Sequence, residues 1–134
     1  MVKGDVIELI VITPERQVLD EHVSSVVFAA HDGELGVLHN RAPLMCELGI
    51  GQLRYETGGR VQRLFIDGGF AQVHRNSVTI LTQQAMPAGQ ITPNTVAAAE
   101  RSVKELRGGD PETIAARQSA QQRFRTLRRL RVAT

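Results

Sequence analysis

The chain changes its hydrophobic period once, between residues 85 and 93. Before that point apolar residues come in short runs or at every second position, the period of a strand with one face buried. Ile7 to Ile12 is a nearly continuous aliphatic run stopped by Thr13-Pro14, and Val23 to Ala30 is a second, stopped by His31-Asp32-Gly33. Leu35 to Leu38 is short and 44 to 48 shorter still. Gln52 to Glu56 alternates Leu53 and Tyr55 with polar neighbours. Thr57-Gly58-Gly59-Arg60 then hands the chain to Val61–Ile66, the pattern of a hairpin. Asp67-Gly68-Gly69 breaks that strand, Phe70 to His74 resumes, Arg75-Asn76-Ser77 turns, and Val78 to Thr82 closes the series. Eight or so short strands at regular spacing predict an antiparallel sandwich or flattened barrel.

From Pro93 onward Ala, Gln, Glu and Arg dominate, and Val96, Ala99, Val103 and Leu106 recur at helical spacing. Thr92 before Pro93 is a plausible start, which predicts a helix over about 93–107. Gly108-Gly109 stops it. Asp110 followed by Pro111 is a cap and first turn for a second helix. In that helix Ala116, Ala120, Phe124, Leu127 and Leu130 share one face, with Arg117, Arg125, Arg128 and Arg129 roughly opposite. The domain reading is a sandwich over 1–86 and a helical hairpin over 87–134.

Composition narrows the chemistry. With 134 residues, 42% apolar and 22% charged, the chain is an ordinary globular one whose scarce aromatics make the core aliphatic. No stretch approaches the roughly 18 apolar residues of a membrane span. Asp5 and Glu8 interrupt the apolar run at the N-terminus, so a signal-peptide layout is not expected. The single cysteine, Cys46, excludes an internal disulfide and suits a reducing compartment. Net charge is +2 but uneven: residues 111–134 hold six arginines against Glu112, a local +5, which leaves −3 for the rest.

Catalytic patterns are absent. There is no phosphate-loop or nucleophile-elbow motif. His22, His31, His39 and His74 are scattered, without the spacing of a helical zinc pair. Cys46 fits a small buried hydrophobe better than a nucleophile. Asp67-Gly68-Gly69 could cradle an anion, although a tight turn explains the glycines equally. The arginine-rich helix stays open among three roles: a solvated flank, a contact for an acidic protein surface, and, with only Phe124 as an aromatic, a weaker nucleic-acid contact.

Linked motifs sharpen this. Residues 33–44 read Gly-Glu-Leu-Gly-Val-Leu-His-Asn-Arg-Ala-Pro-Leu. This resembles the G-E-L-G-[IV]-x-P-[NG]-H-A-P-L signature of the epsilon subunit family of F-type rotary ATP synthases (delta in mitochondria). "VITPERQVLD" upstream is similar to that family's V-x-T-P-x-R-x-V, and "DGGFAQVHRNSVTIL" downstream to G-G-F-x-x-V-x-x-N-x-V-T-I-L. The likeness covers about 1–85 and continues more loosely through both helices. Two departures stand inside the signature: His39 replaces the usual Pro, and Arg41 the usual His.

The resemblance implies a non-catalytic subunit with about ten antiparallel strands at the foot of the central stalk, followed by an antiparallel helical hairpin. It implies docking on the gamma subunit and the ring of c subunits through Asp32, Glu34, His39, Asn40 and Arg41, so that proton-driven rotation is coupled to ATP synthesis. The hairpin, hinged at Gly108 and Gly109, is expected either to fold on the sandwich or to extend into the catalytic head. There Arg117, Arg123, Arg125, Arg128 and Arg129 would meet the beta subunit, with alpha nearby, and inhibit hydrolysis. Some members bind ATP through an I-D-x-x-R-A motif. Here Ile91, Thr92, Pro93, Asn94, Thr95 and Val96 occupy it without the carboxylate or the arginine, so a regulatory nucleotide is not expected. No cofactor, metal, nucleic acid or lipid insertion is implied, and the expected place is peripheral, on the cytoplasmic face of a bacterial membrane (or the equivalent face in an organelle). The alternative is a free-standing sandwich adaptor whose basic helix binds nucleic acid.

Overall fold

The computed structural model describes residues 6–133, with side chains through Arg131, so residues 1–5 of the expected first domain and Thr134 of the second lie outside the described part. The strands are β1 (Ile7–Ile12), β2 (Gln17–Val23), β3 (Ser25–Ala30), β4 (Gly33–Leu38), β5 (Leu44–Thr57), β6 (Arg60–His74), β7 (Ser77–Leu81) and β8 (Ala85–Pro87). A short 3-10 turn over Ala88–Gln90 leads to α1 (Pro93–Glu105) and α2 (Pro111–Ala133). All the strands are hydrogen-bonded in one path, β2-β1-β7-β6-β5-β3-β4, with β8 on β6.

This is the expected sandwich followed by a helical hairpin, with two corrections. Among the described residues there are eight strands rather than about ten, because β5 and β6 run through glycine segments that read as breaks. They are also not all antiparallel, since β1 pairs parallel with β7. The unbroken strands are what make two layers from one sheet. In β5 the buried position is Leu48 before Gly49, but Gly51, Leu53 and Tyr55 after it, so the inward face changes parity. Opposite, β6 buries Leu64, Phe65 and Ile66, then Ala71 and Val73 beyond Gly68 and Gly69. Those two glycines have φ of 67° and 104°, in the region that favours glycine. A Cβ on Gly69 would overlap the Leu81 carbonyl oxygen, so β7 crosses this corner at backbone contact.

The corner folds the sheet over a core of Ile7, Leu9, Val11, Val78 and Ile80 from one layer and Val26, Phe28, Leu53 and Leu64 from the other. A second cluster lies outside it. Phe65 points away from the sandwich core and is covered by Ala88, Ile91, Leu127 and Leu130, with Ile50 and Met86 at the margin. Fully burying such a side chain stabilises by about 1.5–3 kcal/mol, and Phe65 has no exposed surface.

Both helices start as expected. Thr92 caps α1 by accepting from the Thr95 N–H at 3.2 Å, while the Thr95 hydroxyl accepts from the Thr92 N–H at 3.3 Å. Asp110 caps α2, its carboxylate accepting from the Thr113 N–H at 3.1 Å. Hydrogen bonds from Thr113, side chain first and backbone second, lower the Asp110 pKa below the ordinary aspartate value. α1 ends at Glu105, two residues before the expected end.

Candidate functional site

The signature segment is not one loop. Residues 33–38 form β4, an edge strand paired only with β3, and Glu34 faces Ala29 across the ladder. Its carboxylate accepts from Arg54 Nη1 at 3.0 Å, with the two side chains 53% and 33% exposed. Such a pair is worth about 0–1 kcal/mol, so it orients Glu34 without committing it. Asp32 is exposed in the preceding turn. It adds to the rise in the Cys46 pKa, whose larger cause is burial of the thiol.

His39, Asn40 and Arg41 follow the other end of β4, beyond four strand steps, or about 13 Å, from Glu34 to Leu38. The expected docking set therefore separates into two ends of the sandwich: Asp32 and Glu34 at the corner end, the elbow at the open end. At the open end the Asn40 N–H donates to Asn76 Oδ1 at 2.6 Å, and Asn76 Nδ2 donates to Asn40 Oδ1 at 3.4 Å. Two turns distant in sequence are thereby clasped together.

Between the ends lies a surface that motif reading missed. Met45, Phe70 and Leu81 are 67%, 55% and 50% exposed. Register gathers them on the outer face of one layer: Phe70 pairs with Leu81, Leu81 with Ile12, and Met45 with Gln72, two residues along β6 from Phe70. A cleft of about 350 Å³ beside them is lined by Ile12, Pro14, Phe70 and Leu81. Contiguous exposed apolar surface marks an interaction site. The signal was in the sequence: alternation about buried Ala71 and Val73 forces Phe70 outward.

The arginines of α2 also separate. At about 100° per residue the buried positions Ala120, Thr126, Leu127 and Leu130 surround Arg123, not a gap between flanks. Arg123 Nε donates to Asp67 Oδ2 at 2.7 Å, and the Asp67 side chain is only 14% exposed. Gln122 Nε2 reaches the Ile50 carbonyl at 3.3 Å. Arg123 thus belongs to the seam between helix and sandwich in this conformation, apart from the other arginines of the expected inhibitory set. Arg117 donates to the carbonyls of Leu106 and Gly108 at 3.1 and 3.2 Å, closing the connection that holds Gly108 and Gly109. Arg125, Arg128 and Arg129 remain exposed, Arg128 lying 5.0 Å from the Phe124 ring centroid. Ala116, expected on the packed face, is exposed because α2 meets the sheet only beyond it.

Among the described residues no group of three His, Cys, Asp or Glu side chains could hold a metal ion. No described helix is long and apolar enough to cross a membrane. Thr92 and Thr95, where some members of the resembled family carry a carboxylate and an arginine, spend their hydroxyls on capping α1.

Comparison with known proteins agrees with the geometry. Residues 6–88 match the model of the "ATP synthase, Delta/Epsilon chain, beta-sandwich domain". The chain is 36% identical over 119 residues to the ATP synthase epsilon chain of Rhodopirellula baltica, covering 89% of this chain and 93% of that one. It is 41% identical over 128 residues to that of Solibacter usitatus, covering 91% and 96%. Among solved structures it resembles a chain of the Euglena gracilis mitochondrial ATP synthase OSCP/F1/c-ring assembly, with TM-score 0.78, 26% identity, and 96% and 82% of the two chains covered. A chain of the Tetrahymena thermophila mitochondrial ATP synthase central stalk and c-ring shares the fold at TM-score 0.71 and 16% identity, covering 97% and 99%.

The Arg123–Asp67 pair generates a test. Replacing Asp67 with Asn keeps the shape and leaves Arg123 without its counter-charge, a loss of about 1–3 kcal/mol for a partly buried charged bond. Amide hydrogen exchange across α2 should then speed up by about 5- to 150-fold, while exchange in β1, β3 and β7 stays as it was. Unchanged exchange in α2 would remove the pair from the forces that hold the hairpin.

Proposed function

The chain belongs to the ATP synthase delta/epsilon family, and on that premise we propose that it docks on the gamma subunit through the outer sheet face and regulates the motor through its hairpin. It is a non-catalytic subunit of the central stalk of that enzyme. The observation that carries the docking assignment is the exposed trio Met45, Phe70 and Leu81, since a stalk subunit that transmits torque needs an extensive, dry contact. Asp32 and Glu34, at the corner end, are assigned to the polar loops of the c-ring, which gives the sandwich two separate contacts for coupling rotation to synthesis. We assign the chain a peripheral position, on the side of the membrane that carries the catalytic head.

The hairpin supplies the regulatory part. In the conformation described here, α2 lies on β5 and β6 with Arg123 paired inward. Arg125, Arg128 and Arg129 face solvent and are the groups available to an acidic segment of the catalytic beta subunit once the hairpin extends, with alpha adjoining. Each exposed pair is worth about 0–1 kcal/mol, so the three act jointly on a two-state equilibrium. No regulatory nucleotide is assigned, because Thr92 and Thr95 offer no charge and already satisfy each other.

Three measurements check these assignments. Phe70→Glu should abolish co-purification with gamma in high salt while the free chain keeps its melting temperature, as expected for an exposed side chain. Retained gamma would move the docking site elsewhere. Ending the chain after Arg107, or neutralising Arg125, Arg128 and Arg129 together to Gln, should raise ATP hydrolysis by the assembled enzyme while synthesis persists. Hydrolysis unaffected by either change would make α2 a solvated flank. Titration calorimetry of the chain with ATP should detect no sub-millimolar site, and such a site would contradict the capping argument.

A further inference from the structure

The outer apolar face ends at two turns that are bonded to each other. Asn40, Arg75 and Asn76 have φ of 67°, 51° and 61°, and they are the non-glycine residues of positive φ among those described. All three lie in the two clasped turns. Asparagine tolerates this backbone, whereas arginine does so at a cost. Arg75 and Asn76 are the two central residues of the β6–β7 hairpin, whose tight turn needs positive φ at both. The elbow is tied to that hairpin by the 2.6 Å bond from the Asn40 N–H to Asn76 Oδ1 and the return contact at 3.4 Å.

Each clasp residue has an arginine beside it in the chain: Arg41 follows Asn40, and Arg75 precedes Asn76. Both arginines are exposed, and among the described residues neither has an acidic partner. The ladder fixes where they stand. Leu44 pairs with Val73, so the elbow and the β6–β7 turn border the end of the face that carries Met45, and His74 continues the outward row of Phe70 and Gln72. The result is an apolar centre bordered by two exposed arginines on turns that are clasped together, the anatomy of a protein interface. An isolated phosphate or a lipid headgroup would use the rim and leave the apolar centre wet, so a protein segment is the occupant that complements both.

We infer that Arg41 and Arg75 form a preorganised two-pronged receptor for a carboxylate, an Asp or Glu on the same gamma segment that covers Met45, Phe70 and Leu81. Guanidinium groups suit this task because they bind carboxylates through paired, charge-assisted hydrogen bonds. The clasp lowers the ordering cost of binding by fixing the two turns beforehand. This inference rests on the assignment of gamma to the outer face and adds to it the chemistry of the contact.

The test titrates full-length chain with purified gamma from the same source at two salt concentrations. R41E/R75E should weaken binding by about tenfold or more and flatten its salt dependence, because rim charges act on encounter and register. The milder R41Q/R75N, in which Asn tolerates the left-handed backbone at 75, covers the case in which the reversal perturbs folding, and it should weaken binding in the same direction with the melting temperature held. A single Asp- or Glu-to-Lys change on gamma should restore affinity to R41E/R75E. If both arginine variants bind as tightly as the unaltered chain while Phe70→Glu does not bind, the carboxylate receptor is wrong and the docking face stands. If Phe70→Glu also binds normally, the docking face is wrong as well.

Discussion

The glycine corner shared by β5 and β6 is the constraint from which the rest follows. Two long strands could lie flat as a ribbon, exposing one apolar face. Instead Gly68 and Gly69 take left-handed conformations and Gly51 admits the Ala29 side chain at a distance no Cβ would permit. The inward parity therefore changes sides halfway along, and a single hydrogen-bonded sheet encloses a core from two layers. The same corner places Asp67, whose N–H is met by Thr82 Oγ1 at 3.0 Å and the Gln84 carbonyl at 3.1 Å, in a partly buried position beside α2. The structural joint of the sandwich is thus also the electrostatic anchor of the hairpin.

That arrangement sorts surface charge by position rather than by number. Glu34 with Arg54 and Asp67 with Arg123 are both carboxylate–guanidinium contacts, yet the first is open to solvent and the second is held in a seam. Screening makes the first nearly neutral for stability. The second costs more to break than to keep, because the Asp67 carboxylate, only 14% exposed, would remain poorly solvated. A basic helix is consequently not one surface: one arginine secures it, one closes its connection, and four are exposed.

The fold was legible wherever burial leaves a period in the sequence. β1, β3, β7 and both helices follow their aliphatic or helical spacing, and Thr92, Pro93, Asp110 and Pro111 mark helix starts through local hydrogen-bonding chemistry. β2 was not legible, because Gln17–Val23 lies at a sheet edge with most of its residues outward, so its sequence lacks alternation. The β1–β7 pairing is parallel and joins segments about 70 residues apart, which no local pattern encodes. For the site, Glu34 and the elbow were identified as exposed polar groups, but their separation needed the length of β4. Arg123 carries no signal that separates it from the other arginines of the helix, and only Asp67, brought over by the corner, explains why it faces in.

The hairpin's construction bears on how it can be regulated. α1 has no buried residue and reaches the sandwich chiefly through α2. Both helices nonetheless carry their own end caps: Thr92 with Thr95, Asp110 with Thr113, and Arg117 on the carbonyls of the connection. None of these bonds involves the sandwich. Leaving the sheet would therefore expose Phe65, Ile91, Leu127 and Leu130 and break the Arg123–Asp67 pair, but it would not cost either helix its termini. A small apolar cluster, one ion pair and the Gln122–Ile50 hydrogen bond hold the hairpin on the sandwich, and the helices would keep their own caps without it. If the hairpin extends as proposed, it would move as a unit, toward whichever surface offers its apolar stripe and its arginines the better complement.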